Sequence, residues 1–98
     1  MGKTLSPKDT CPVTKVAKLL SDTWTMLIIH DLLGSKTMRF CELERSLDGI
    51  STRTLTLKLK TLEEKSILIK KDDGYSLTKT GLKLAPVVKE MEYFGKKL

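Results

Sequence analysis

The chain has little of what most catalysis requires. Its 98 residues include a single histidine, His30, and two cysteines, Cys11 and Cys41. Two cysteines are too few for a disulfide framework, and neither stands at metal-ligand spacing from His30. No nucleophile sits with a paired base and no Gly-rich phosphate loop is visible, so no enzyme is expected and no cofactor is implied. The longest apolar run, "MLII" within "TWTMLIIHDLL", is far too short to cross a bilayer. The opening "MGKTLSPKDT" lacks the apolar core of a signal peptide. The expectation is a cytoplasmic protein with no membrane partner. Repeats and low-complexity tracts are absent as well.

What is present is positive charge. Eighteen Lys and Arg against 12 Asp and Glu leave a net charge of +6, with a sequence pI near 9.4. Such a surplus favours polyanions or anionic surfaces as partners, and it acquires meaning only once the charges are placed on a surface. A chain this short forms one domain with a modest core, so self-association is expected to complete it.

Turn signals cut the chain into short segments. Residues 1 to 10 read as a flexible tail and residues 11 to 98 as the domain. Cys11-Pro12 opens a first helix with proline at its first position, and Val13, Val16, Ala17 and Leu20 follow on one face. Asp22 is a candidate N-cap for a second helix from Thr23 to Leu33, apolar almost all round and therefore central, with His30 and Asp31 on its narrow polar side. "KTMRF" reads as a short strand. Phe40, Leu43 and Leu47 then form a short third helix.

The stretch "ISTRTLTLKLKTLEEK" is ambiguous. Leu55, Leu57 and Leu59 alternate like a strand, but Leu62 breaks that parity. Taken as a helix, Leu55, Leu59 and Leu62 make a single stripe, Ser51 supplies the N-cap oxygen and Ile50 a hydrophobic staple. The helix reading wins, and with the third helix it makes a helix-turn-helix. A hairpin follows, with Ile69 expected opposite Leu77 across a three-residue loop containing Gly74. The expected fold is mainly α with a small β-hairpin, a winged helix-turn-helix. Thr78 caps a last helix kinked at Pro86, whose Leu84, Val88, Met91, Tyr93 and Phe94 offer more apolar surface than a small core needs. Together with Val13, Val16, Ala17 and Leu20 of the first helix, these residues are the expected dimer interface.

With the leucine stripe inward, Arg53, Leu57 and Lys60 point outward, flanked by Thr54, Thr56 and Thr61. Long cations and small hydroxyls suit a DNA major groove, where Leu57 meets a thymine methyl. Ser51 and Thr52, at the positive end of the helix, suit a backbone phosphate. Lys70 and Lys71 give the hairpin a second cationic point. The acidic pair Glu63-Glu64 lies at the far end, so the N-terminal half is the part expected to enter the groove.

These residues also resemble a known family. "CPVTKVAKLLSDTWTMLIIHDLL", "MRFCELERSLDGISTRTLTLKLKTLEEKSIL" and "YSLTKTG" are similar to the HxlR-type winged-helix transcriptional regulators, relatives of the MarR group. The resemblance implies a homodimer, joined through its terminal helices, that binds palindromic double-stranded operator DNA. It also implies that the helix after Ser51 is the recognition helix and Arg53 its leading contact. Thr52 stands where the family often has proline, Leu57 replaces a commonly polar residue, and "KKDDGY" makes a short wing. In similar regulators a cysteine at the position of Cys11 responds to quinones, aldehydes or oxidants. A thiol at a helix N-terminus near Lys8 and Lys15 fits such reactivity, while Asp9 opposes it. The plainer reading is a half-buried cysteine packing at the dimer contact. Cys41 is given no role, and Trp24 is either core or the wall of an effector pocket.

A winged-helix module that binds only proteins is the competing reading, because a fold does not fix a function. Salt separates the two. DNA binding is expected to weaken steeply as salt rises, and to fall further for Arg53→Ala than for Glu64→Ala in equilibrium titrations against duplex DNA. A protein-binding module shows neither effect.

Overall fold

The computed structural model describes residues 11 to 98, and the expected N-terminal tail lies outside them. Helix α1 (Pro12–Leu20) begins at N-cap Cys11 with proline in its first turn, as the missing N–H of proline allows. Helix α2 (Thr23–Gly34) is capped by Asp22, whose carboxylate accepts from the Thr25 amide at 3.0 Å and from the Thr25 hydroxyl at 2.6 Å. That second bond satisfies the one buried polar side chain among the described residues. Helices α3 (Phe40–Ser46) and α4 (Thr52–Glu64) follow, then strands β1 (Leu68–Lys71) and β2 (Gly74–Leu77), and finally α5 (Lys79–Leu82) and α6 (Ala85–Gly95).

The core forms where α2, α4 and the hairpin meet. Ile28, Ile29 and Leu32 from α2 join Leu43 of α3, Leu55, Leu59 and Leu62 of α4, and Ile67, Leu68 and Leu77 around the hairpin. Ile50 packs against this cluster from just before the α4 cap. The carboxyl end of α4 is closed by two reversed bonds, from the Ile67 amide to the Leu62 carbonyl and from the Ser66 amide to the Glu63 carbonyl, both 3.0 Å. This arrangement needs a left-handed residue, and Ser66 takes it with φ of 61°. Ile67, brought back over Leu62, then enters the core.

Three expectations are corrected. The hairpin register is Leu68 with Leu77 and Ile69 with Ser76, one residue from the expected pairing. The loop holds only Asp72 and Asp73, because Gly74, at φ of 130°, already pairs with Lys71. A one-residue shift reverses the strand faces, so Leu68 is buried and Ile69 is 43% exposed. Gly74 also lies so close to the Met38 carbonyl that a Cβ there would sit 2.6 Å from its oxygen. The "KTMRF" strand reduces to one bridge, in which Met38 and Tyr75 exchange bonds of 3.0 and 2.8 Å.

The last helix is broken rather than kinked. Pro86 stands in the first turn of α6, where its lack of an N–H costs nothing, and α5 ends before it. Val88 is only 4% exposed and belongs to the chain's own core, so it is not free for a partner. Leu20 and Leu84 pack partly against that core as well. The other expected contact residues do face outward: Val13 is 68% exposed and Phe94 62%, with Val16, Ala17, Met91 and Tyr93 also on the surface. A hydrogen bond of 2.6 Å between His30 Nε2 and Glu92 Oε2 ties α6 to α2, and it holds the Glu92 carboxyl below its usual range.

Two backbone positions predict opposite changes in stability. Ser66→Gly relieves a left-handed side-chain residue and is expected to stabilise the domain by about 0.5–1 kcal/mol. Gly81→Ala drives a Cβ into the Ile67 carbonyl and is expected to cost about 2 kcal/mol or more. Urea unfolding of the two variants beside the parent measures both.

Candidate nucleic-acid interface

Helix α4 is held on three sides before it presents anything to solvent. Leu55, Leu59 and Leu62 are buried beneath it, and the Ser51 hydroxyl accepts from the Thr54 amide at 3.0 Å. On its flank, Lys58 Nζ reaches Asp22 Oδ2 at 3.1 Å, so the carboxylate that caps α2 also grips α4. The remaining direction carries Arg53, Leu57 and Lys60, all exposed, with Leu57 at 53%. Leu57 and Lys60 lie one turn apart on this side, as the helical repeat requires.

The hydroxyls around this face are less free than their sequence indicates. Ser51 donates its hydroxyl hydrogen to Thr54 Oγ1 at 2.9 Å, and Thr56 donates to the Thr52 carbonyl at 2.8 Å. Thr52 donates to Glu44 Oε2 at 2.5 Å. The phosphate expected at Ser51 and Thr52 would therefore meet a carboxylate and hydroxyl oxygens whose hydrogens are already engaged. Glu44 lies on α3, eight residues before Thr52, and is the neighbour that this contact would have to accommodate. Helical periodicity gives no sign of this meeting, because the turn between the helices decides it.

The hairpin adds a second basic group. Arg39, Lys70 and Lys71 border one shallow cleft of about 270 Å³ with Phe40, Asp72, Gly74 and Tyr75. Lys70 Nζ lies 5.8 Å from the centre of the Tyr75 ring, a cation-π contact that favours keeping the ammonium above the aromatic face. The Met38–Tyr75 bridge joins the hairpin to the residue before Arg39, so hairpin and helix-turn-helix hold one relative position. Arg39 was missed in the sequence because it precedes a helix and no local pattern connects it with residues some thirty positions later; only the bridge does.

Cys11 is half-buried at the head of α1. Hydrogen bonding by the Thr14 hydroxyl, then by the Thr14 amide, lowers the pKa of the thiol from its ordinary value. Lys8 and Asp9, invoked for the same thiol, lie outside the described residues. Cys41 is exposed, and Trp24 packs partly buried against the core. Among the described residues no group of three or more His, Cys, Asp and Glu is placed to hold a metal, and no helix is long and apolar enough to cross a membrane.

A helix-turn-helix with a hairpin tied to its side and an exposed cationic face on the second helix is the arrangement that comparison with known proteins explains. The profile of the HxlR-like helix-turn-helix family matches residues 19–98. The chain belongs to the HxlR-like helix-turn-helix family. Within it, the chain is 34% identical over 96 residues to the uncharacterized HTH-type transcriptional regulator YvaP of Bacillus subtilis, covering 89% of this chain and 87% of that protein. Among solved structures, the quinone-bound YodB of B. subtilis superposes with a TM-score of 0.82 at 32% identity, covering 90% of this chain and all of that one. A MarR-family putative regulator from Porphyromonas gingivalis W83 gives a TM-score of 0.83 at 34% identity, over 96% of this chain and 97% of its own. The HxlR-like assignment makes the chain a transcriptional regulator and not an enzyme.

The double role of Asp22 predicts a pH dependence. The Thr25 hydroxyl, and then its amide and Lys58, outweigh burial and hold the carboxyl below its usual value. Its contribution is therefore complete above the unfolded-state pKa near ~4 and is lost as pH falls through the lower folded value. Asp22→Ala is expected to cost about 1 kcal/mol at neutral pH through the lost cap. It should also flatten the loss of stability below about pH 4 in urea titrations, since the titrating group is gone.

Proposed function

We propose that two copies of the chain form a dimer that binds palindromic operator DNA, each placing α4 in the major groove and its hairpin along the phosphate backbone. One observation carries this reading: Arg53, Leu57 and Lys60 project from a helix whose opposite face is fixed in the core, so the cations are presented without any rearrangement. Arg53 is the leading base contact, by bidentate pairing with guanine, and Lys60 a phosphate contact. Leu57 supplies an apolar contact to a thymine methyl. Thr54 and Thr56 flank that contact, Ser51 and Thr52 border it at the helix start, and Lys70 and Lys71 meet phosphates from the hairpin.

The partner surface is formed by α1 and α6. Val13 and Val16 are exposed on one, and Met91, Tyr93 and Phe94 on the other. Apolar side chains of this size, left uncovered on two terminal helices of a small domain, support burial against a second copy. Cys11 lies at the head of α1, beside Val13. Its favoured thiolate and the likeness to a regulator crystallised with bound quinone support a response to electrophiles through that thiol. Modification there alters the packing of α1, and with it the spacing of the two recognition helices.

Footprinting on genomic DNA with a Cys41→Ser variant tests the reading. The protein is expected to protect twofold-symmetric sites whose half-sites lie about one helical turn apart. Treatment with a benzoquinone should release them, and the Cys41→Ser, Cys11→Ser double variant should stay bound. Protection of sites without symmetry would defeat the dimer reading. Equal release of both variants would defeat the role of Cys11.

A further inference from the structure

The hydrogen bonds around the start of α4 divide its exposed face into two kinds of surface. Arg53 and Lys60 carry donors only. Beside them, the first-turn edge that faces α3 carries acceptors. Thr52 has given its hydrogen to Glu44 Oε2, and Thr56 has given its hydrogen to the Thr52 carbonyl. Thr52 and Thr56 are four residues apart and so lie on one side of the helix. A hydroxyl has one hydrogen and two lone pairs, so both oxygens retain only acceptor capacity while these bonds stand. Glu44 adds a carboxylate to the same edge, and no cation among the described residues is ion-paired with it.

We propose that Glu44, held by Thr52 and continued by Thr56, is a specificity determinant that selects cytosine or adenine over guanine or thymine at the strand position next to the base read by Arg53, by accepting from the exocyclic amino group. The inference rests on α4 entering the major groove. There the amino groups of cytosine and adenine are the base-edge donors, and carboxylates are known to accept from cytosine N4. Guanine offers O6 and N7, and the backbone offers phosphate oxygens, all of them acceptors. Lone pairs facing those groups are repelled. The α3 edge of the helix therefore rejects phosphate and guanine, while the Arg53 side attracts them. Thr52 acts here as a positioning residue: its 2.5 Å bond fixes the carboxylate against the head of the recognition helix, where a free glutamate would sample many rotamers.

Selection from a random-sequence duplex library tests this, with the full chain, Glu44→Ala, Glu44→Gln and Thr56→Val, each first checked for an unchanged melting temperature. The parent is expected to enrich a half-site in which cytosine or adenine is fixed beside the guanine lost in Arg53→Ala. Glu44→Ala should lower the preference at that base pair by roughly tenfold while preserving the other positions and the salt slope. Glu44→Gln, which keeps an acceptor oxygen, should retain part of the preference, and Thr56→Val should weaken it further along the same edge. If Glu44→Ala raises affinity for all duplexes alike, the carboxylate only repels phosphate and the inference fails. An unchanged half-site also overturns it. If the parent enriches no sequence, the DNA-binding reading falls first and this inference with it.

Discussion

The packing of Leu55, Leu59 and Leu62 against Ile28, Ile29 and Leu32 sets the geometry of everything else. Burying three leucines on one helix removes enough apolar surface to fix rotation about its axis, because turning the helix by even one residue would expose a leucine and bury a cation. Arg53 and Lys60 are therefore aimed by side chains on the far side of the same helix. Among the described residues neither has a hydrogen-bond or ion-pair partner that orients it; the core does so for both.

Secondary fixings make the arrangement rigid. Asp22 serves α2 as a cap and α4 as an ion-pair partner, so the two central helices share one carboxylate. The left-handed turn at Ser66 returns Ile67 to the core and starts the hairpin at a set angle. The Met38–Tyr75 bridge then ties the hairpin to the start of α3. Helix α4, the preceding helix and the hairpin consequently act as one body.

The donor and acceptor pattern shows why composition is a poor guide to a binding surface. A helix rich in threonine reads as a set of versatile hydroxyls. Once folded, the hydrogens of Ser51, Thr52 and Thr56 are all engaged within the protein. What remains toward solvent is mostly oxygen on one edge and mostly cation on the next. The terminal helices make a similar point about apolar residues: Val88 and Phe94 look alike in sequence, yet one completes the chain's own core and the other remains outside it.

Short-range periodicity and local capping chemistry were enough to define the central helix with its cap at Asp22, the two helices of the helix-turn-helix with the Ser51 cap of the second, the inward leucine stripe and the hairpin. Local pattern alone misplaced the hairpin register by one residue, since a loop of two residues or three is chosen by how Gly74 meets the Met38 carbonyl, a contact distant in sequence. It could not separate a kinked helix from two helices at Pro86, because proline suits both and packing of Val88 into the core selects between them. Glu44 beside Thr52, and Arg39 beside Lys70 and Lys71, were likewise beyond local reading. Those meetings are made by turns and strand pairing, and only the tertiary structure decides which side chains they bring together.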